Sequence, residues 1–188
     1  IKSFKGHSAA KSVHHSFAGG LLEHTLSILK MCEYYVSAYP LLSKDLLFTA
    51  AIFHDIGKTK ELSSFPENDY TDDGQLLGHI VMGVEMISDG VRTIEGFPPV
   101  IASELKHCVI AHHGELEYGS PKKPSLVEAL ALSLADNLDA KLETMTELLS
   151  ILYKLRIFTS SSKIRTFFIK INNIRITLKI SILKNYNK

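Results

Sequence analysis

Histidine and aspartate residues that could bind metal ions recur along the first 136 residues of the chain. They occur in the order His24, His54-Asp55, His79, His112-His113 and Asp136. Imidazole and carboxylate groups together suit Mn, Fe, Co, Ni or Zn, and no thiolate is required. The types and order of these side chains predict a site for two divalent metal ions.

The run FHDIGK at residues 53–58 is the centre of the predicted site. Asp55 can place one carboxylate oxygen on each of two ions, and His79, His112 and His113 would complete the shell of the second ion. Two ions about 3.5–4 Å apart suit hydrolysis of phosphate esters, since they generate hydroxide near neutral pH and stabilise charge on the phosphoryl group. Lys58 can reach a phosphate oxygen or the bridging hydroxide as a point charge. We therefore predict Asp55 and Lys58 as catalytic residues.

These residues are predicted to lie on helices. His24, His54 and Asp136 each lie on an apolar stripe with helical spacing, on three different helices. A buried ionisable side chain is costly unless it is paired or bound to a metal, so packing of these helices would bring the three side chains together. The fold class is therefore an all-α bundle. Its helices are predicted over 21–39, 45–56, 77–87, from 100 to 112 or 113, and over 125–149, with a loop or short hairpin over 62–78.

Local signals predict where several of these helices begin and end. Ser43 can cap the second helix, and Ser125 with Glu128 forms a capping-box pattern at the start of the last one. Gly114 is expected to end the fourth helix.

Several further polar residues have a less specific interpretation. His107 is predicted to be structural or to lie in the outer shell of the site. Asp139 could equally pair with Lys141 on the helix surface or lie next to the site. His7, His14 and His15 lie ahead of the first helix and are predicted to be solvated. His14 and His15 could also approach a substrate.

The composition is that of a single globular domain with appendages. The 188 residues are 45% hydrophobic, and no apolar run approaches the roughly 18 residues that a membrane-spanning helix needs. Cys32 and Cys108 lie apart in apolar segments and are predicted to be buried free thiols, which favours a reducing, cytoplasmic location.

Charge is divided sharply along the chain. All 20 acidic residues and 12 of the 21 basic residues lie within residues 1–153, which therefore carry a net charge of −8. Residues 154–188 hold the other 9 basic residues and no acidic residue. We therefore predict a domain over 1–153 and a basic tail over 154–188.

The basic tail is of uncertain structure. Isoleucines and a leucine alternate with polar residues on either side of Asn172-Asn173, which predicts two strands or a hairpin. The alternative is a disordered or non-native tail, such as an out-of-frame translation of AT-rich DNA. The lack of an upstream sheet for such strands to join favours this alternative.

Five stretches of the chain resemble a known family. The order of the ligands resembles the HD superfamily of metal-dependent phosphohydrolases, which are helical bundles. The resemblance is most specific to the YhaM-type bacterial 3′-to-5′ exoribonucleases and rests on AAKSVHHSFAGGLLEHTLSILK, FHDIGKTKEL, YTDDGQLLGHIVMGVEMI, LKHCVIAHHGELEYGSPKKP and EALALSLADNLDAKLETM.

This resemblance implies a manganese- or cobalt-dependent enzyme that shortens single-stranded RNA from its 3′ end and releases nucleoside 5′-monophosphates. The metal ligands that it implies are the histidines and aspartates already singled out, with Lys58 assisting. Lys60, Lys122 and Lys123 are local positive charges that would bind the substrate.

The chain departs from this family in two places. Members usually carry an OB-like nucleic-acid-binding domain ahead of the HD domain, whereas few residues precede His24, and the tail after Tyr153 does not resemble the family's ending. We therefore expect a fragment or a truncated product. A domain with a charge of −8 is a poor general binder of polyanions.

Two alternative functions remain open. One is an HD phosphohydrolase that acts on a small nucleotide or cyclic dinucleotide, and the other is a degenerate domain that serves in binding or regulation. No membrane partner is expected, and a homo-oligomer is compatible with the sequence.

Overall fold

The computed structural model of this protein describes residues 2–11, 16–154, 165–171 and 174–180. His14 and His15 lie outside these residues. The elements are α1 (Lys2–Gly6), α2 (Gly20–Ala38), α3 (Lys44–Phe53), α4 (Lys58–Glu61), α5 (Asp72–Arg92), α6 (Pro99–Ile110), a 3-10 turn (Leu116–Tyr118), α7 (Val127–Lys154), β1 (Arg165–Ile171) and β2 (Ile174–Ile180). The helices confirm the predicted all-α bundle.

The apolar faces of five helices form one buried core. Ile28 of α2, Leu47 of α3, Val109 of α6 and Leu132 of α7 are fully buried in it, and Ile87 of α5 joins them. Burial of a side chain of this size contributes about 1.5–3 kcal/mol relative to its exposure. This core fixes the helices that carry the predicted ligands.

Helix α5 is broken at Gly78, next to residue 77, where the sequence predicted the helix to begin. Gly78 has φ 72° and ψ 160°, so the helix consists of two segments, and His79 begins the second. The prediction of a loop through residue 78 is wrong for the first segment, because the Thr71 side chain accepts a hydrogen bond from the Gly74 amide and caps a helix that starts at Asp72.

The predicted helix caps have different outcomes. The Ser43 hydroxyl accepts a hydrogen bond from the Leu46 amide, which confirms Ser43 as the cap of α3. The capping box is wrong: Glu128 Oε1 accepts a hydrogen bond from the Ser43 amide at 2.7 Å, and the Ser125 amide donates to His107 Nε2 at 2.9 Å. Both contacts join segments far apart in sequence, and the second gives His107 a structural role.

His7 is buried, contrary to the prediction that it is solvated. Its side chain is 4% exposed, and its Nε2 donates a hydrogen bond to the Leu62 carbonyl at 3.2 Å. The Leu21 amide donates in turn to the His7 carbonyl at 3.1 Å. The segment ahead of α2 therefore packs against the chain that follows α4.

Two compact units, residues 1–147 and 148–188, are distinguished by their contacts. In the second unit β1 pairs with β2 in antiparallel register, from Arg165 opposite Ile180 to Ile171 opposite Ile174. These strands agree with the predicted alternation in the tail. The domain boundary near residue 153 and the non-native origin of the tail stay predictions.

Both cysteines are buried free thiols, as predicted. Burial raises the pKa of Cys32 and that of Cys108 to about 12, so neither sulfur is a metal-binding thiolate near neutral pH. Among the described residues, no helix combines the length and the apolar character needed to cross a lipid bilayer.

Candidate metal centre

The predicted ligands come from five parts of the helical unit. His24 lies within α2, His54 follows the last residue of α3, and Asp55 lies in the turn after it. His79 begins the second segment of α5, Asp136 lies within α7, and the adjacent histidines 112 and 113 occupy the turn after α6. The short turns after α3 and α6 therefore carry four of the seven residues.

These side chains form two groups that could each hold a metal ion. We call them the His24 subsite and the His79 subsite, and in each the ligand atoms lie within 4.8 Å of one another. The His24 subsite comprises His24, His54 and Asp136, and the His79 subsite comprises His79, His112 and His113.

Asp55 lies between the two subsites and directs one oxygen towards each. Its Oδ2 is 3.5 Å from His24 Nε2 and 3.3 Å from His54 Nε2. Its Oδ1 is 3.6 Å from both His79 Nε2 and His112 Nε2. The side chain of Asp55 is 2% exposed, so these distances describe a carboxylate enclosed by histidines.

Three buried ligand atoms have no hydrogen-bond partner among the described residues: Asp55 Oδ1, His79 Nε2 and His112 Nε2. Buried polar atoms are nearly always hydrogen-bonded, because leaving one unsatisfied costs about 1–3 kcal/mol. Asp55 Oδ1 lies 3.6 Å from each of the two nitrogens. A divalent ion that accepts electron pairs from all three would satisfy them, so the residues present fit a metal ion.

All five histidines of the centre have their Nδ1 atom tied to an oxygen. The acceptors are Ala51 O for His54 (2.8 Å), Val109 O for His112 (2.6 Å), Tyr118 O for His113 (2.8 Å), Asp139 Oδ2 for His24 (2.7 Å) and Glu61 Oε1 for His79 (3.1 Å). Because a carbonyl or carboxylate oxygen accepts, each Nδ1 carries the proton and each Nε2 is left to bind a metal.

Glu61 and Asp139 contact histidines of the site, and the sequence did not predict these contacts. Glu61 was not among the predicted site residues, although it lies three residues after Lys58 and so on the same side of the short α4. Asp139 had two equal interpretations, and its contact with His24 Nδ1 makes it a neighbour of the site. The signal for both is an acidic residue one helical turn after a predicted site residue.

Charges around His24 favour its protonated form when no metal is bound. Burial lowers its pKa, but hydrogen bonds to Asp136 and Asp139 and the charge of Asp55 outweigh burial and raise the pKa to about 9. The His24 Nε2 atom lies 3.2 Å from Asp136 Oδ1. A metal ion that binds this nitrogen must therefore displace a proton.

The half-buried Lys58 forms an ion pair with the buried Asp55, with an Nζ–Oδ2 distance of 2.7 Å. Burial opposes both charges, but the charge of Lys58 and those of the neighbouring histidines hold the pKa of Asp55 well below its usual value. Burial also opposes the charge on Lys58, yet Asp55 raises its pKa overall. Both side chains are therefore charged at neutral pH.

The pKa values of His112 and His113 are lowered, whereas that of His24 is raised. Burial lowers the pKa of His112 and that of His113, more than the charges of Asp55 and Asp136 raise them. Both rings are thus neutral at physiological pH, which is the form in which imidazole binds a metal.

The other predicted lysines lie apart from these contacts. Lys60 and Lys122 are exposed, and Lys123 forms an exposed ion pair with Glu115 at 2.6 Å. Of the predicted basic residues, Lys58 is the one that the structure brings into contact with the histidine and aspartate cluster.

Comparison with known proteins gives matches over the segment that carries these residues. The family model of the HD domain matches residues 21–141. A curated 3′-5′ exoribonuclease YhaM from Bacillus subtilis is 41% identical over 146 residues, which cover 76% of this chain and 45% of that protein. The YhaM of a Geobacillus species is 43% identical over 143 residues, which cover 75% of this chain and 43% of that protein.

The chain thus spans less than half the length of these curated relatives. A crystal structure of the HD domain of the L. monocytogenes phosphodiesterase PgpH gives a TM-score of 0.44 at 17% identity, over 72% of this chain and 77% of that one.

Proposed function

Since this chain belongs to the HD domain family of metal-dependent proteins, we propose that it is a phosphodiesterase that shortens single-stranded RNA from the 3′ end. The observation that carries the chemistry is the convergence of Asp55 Oδ1, His79 Nε2 and His112 Nε2, which are buried and have no hydrogen-bond partner in the described part of the chain. The name of the curated relatives supports the choice of RNA and of the 3′ end.

We propose that two ions, Mn or Co, bind at the two subsites, with Asp55 contributing one oxygen to each. Fe, Ni and Zn also suit these ligands. Divalent ions at such a site lower the pKa of water and neutralise charge on a phosphoryl group. The Nδ1 tethers hold the five rings in the orientation that directs Nε2 inward, so little reorganisation is needed on binding.

Lys58 has a defined part in this proposal. Its Nζ lies 2.7 Å from Asp55 Oδ2, and its side chain is 17% exposed, so its charge is held at the site and is still open to a substrate. We propose that it binds an oxygen of the scissile phosphate as a point charge. Lys60, Lys122 and Lys123 would attract the RNA backbone from a greater distance.

A small nucleotide or cyclic dinucleotide is the second candidate substrate. The net charge of −8 over residues 1–153 favours it, because affinity for RNA depends on neutralising many phosphates with Lys and Arg. A single nucleotide needs only the few positive charges at the metal centre.

A 5′-labelled single-stranded RNA tests this proposal. We expect the protein with Mn²⁺ to produce a ladder that shortens from the 3′ end, and a chelator to stop it. A circular RNA of the same sequence is the matched control, because it has no 3′ end and should remain intact. A cyclic dinucleotide incubated in parallel tests the second candidate. Cleavage of the circular RNA would contradict an exonuclease, and intact linear RNA with a cleaved dinucleotide would favour the second substrate.

Two further parts of the proposal concern the protein's surroundings. We propose a cytoplasmic location, which the two buried free thiols support. We also propose a homo-oligomer, which the outer face of α7 supports because Val127, Leu130, Leu134 and Leu138 are between 44% and 53% exposed there.

A further inference from the structure

We propose that Glu61 and Asp139 are positioning residues, each of which sets the affinity of one subsite for its metal ion. Glu61 would act on the His79 subsite through His79, and Asp139 on the His24 subsite through His24. This inference rests on the proposed metal chemistry and adds to it two carboxylates that are not themselves ligands.

The contacts of Glu61 involve both the ring and the backbone of His79. Glu61 Oε1 lies 3.1 Å from His79 Nδ1 and accepts a hydrogen bond from the His79 amide at 2.9 Å. Glu61 is 9% exposed at the end of α4. One oxygen thus orients the ring and caps the second segment of α5.

Asp139 holds His24 in a similar way from α7. Asp139 Oδ2 lies 2.7 Å from His24 Nδ1, and its other oxygen accepts a hydrogen bond from the Ser27 hydroxyl. Asp139 is 6% exposed. Three residues earlier on the same helix, Asp136 faces the other nitrogen of the same ring at 3.2 Å. His24 is therefore fixed between a predicted ligand and a carboxylate behind it.

The distribution of these carboxylates is the basis of the inference. The Nδ1 atoms of His54, His112 and His113 are tied to backbone carbonyls, which carry no net charge. Among the described residues, each subsite has one histidine that is tied to a carboxylate instead. A negatively charged acceptor makes the ring a stronger base at Nε2, and loss of such a partner lowers metal affinity by about 10–100-fold. Each carboxylate should therefore act mainly on its own ion.

Mn²⁺ binding to the intact protein, followed by the EPR signal of the free ion, tests this inference. We expect the unaltered protein to bind two ions. Glu61→Gln should lower the affinity of the His79 subsite for Mn²⁺ about 10-fold or more and leave that of the His24 subsite nearly unchanged. Asp139→Asn should have the reverse effect. Both variants keep a side-chain oxygen. In Glu61→Gln this oxygen can still accept the hydrogen bond from the His79 amide. Glu67→Gln removes a charge from an exposed residue in the segment between α4 and α5 and should leave both affinities unchanged.

A second set of variants separates positioning from a purely structural role. In a His79→Ala background, Glu61→Gln should have no further effect on metal affinity, because the ring that it orients is gone while the backbone amide remains. Asp139→Asn should keep its full effect in that background and lose it in His24→Ala. An effect of Glu61→Gln that persists in His79→Ala would overturn the inference, as would equal weakening of both ions by one variant.

The same titration distinguishes failure of this inference from failure of the proposed function. An unaltered protein that binds no Mn²⁺ would overturn both. An unaltered protein that binds two ions with affinities insensitive to Glu61→Gln and Asp139→Asn would overturn this inference alone. Differential weakening together with intact RNA would support the inference and remove RNA as the substrate.

Discussion

Asp55→Asn is expected to abolish metal-dependent phosphodiester hydrolysis. The two oxygens of Asp55 lie 3.3–3.6 Å from the Nε2 atoms of four histidines, two in each subsite, so this side chain connects both. An amide offers one neutral oxygen in place of two charged ones. We expect the rate to fall by at least about 10²–10³-fold, the loss seen when one charge-stabilising group is removed from an active site.

Asp45→Asn is the matched control for this variant. Asp45 lies in the first turn of α3, which leads to Asp55, and it is exposed. The control should keep the rate of the unaltered protein, and circular dichroism should show both variants to be helical. Metal-dependent hydrolysis that persists in Asp55→Asn would contradict the role given to Asp55.

Gly57→Ala is expected to have the largest effect on folding of any glycine substitution near the site. A Cβ atom at Gly57 would lie 1.9 Å from the His79 carbonyl oxygen and 2.7 Å from the Gly83 amide nitrogen. The backbone of Gly57, with φ −61° and ψ −25°, is one that alanine adopts readily. The cost therefore comes from pushing α5 away from the turn that carries Asp55, and we expect about 1–3 kcal/mol or more.

Gly90→Ala is the control for that prediction. Gly90 lies inside α5, where a Cβ would meet nothing within 4 Å in the described part of the chain, and alanine in a helix is about 0.5–1 kcal/mol more favourable than glycine. Urea denaturation should show a loss of stability for Gly57→Ala and no loss for Gly90→Ala. Metal affinity should fall with the first, because His79 moves with α5. Equal stability of Gly57→Ala and the unaltered protein would contradict the close approach of these two backbones.

The sequence predicted the helical bundle because its apolar residues recur with the helical period over several long segments. The seven residues of the candidate metal centre were also predicted from the sequence, because each is an ionisable residue in an apolar segment. The Ser43 cap depends on neighbouring residues alone and was predicted correctly.

Features that depend on distant parts of the chain were not predicted. Glu61 reaches His79 because Gly78 interrupts α5, and the conformation of one glycine is not apparent from a helical pattern. Glu128 binds the Ser43 amide, 85 residues away, in place of the expected capping box. His7 is buried because the chain after α4 packs over it. Each of these contacts becomes apparent only when the helices are packed.

We propose that two metal ions bind on either side of Asp55. A crystal structure of the Mn²⁺-loaded protein, with data collected at the Mn absorption edge, would locate both ions. We expect two anomalous peaks about 3.5–4 Å apart, one in the His24 subsite and one in the His79 subsite, with an oxygen of Asp55 on each. A single peak, or peaks away from these residues, would contradict the binding of one ion at each subsite.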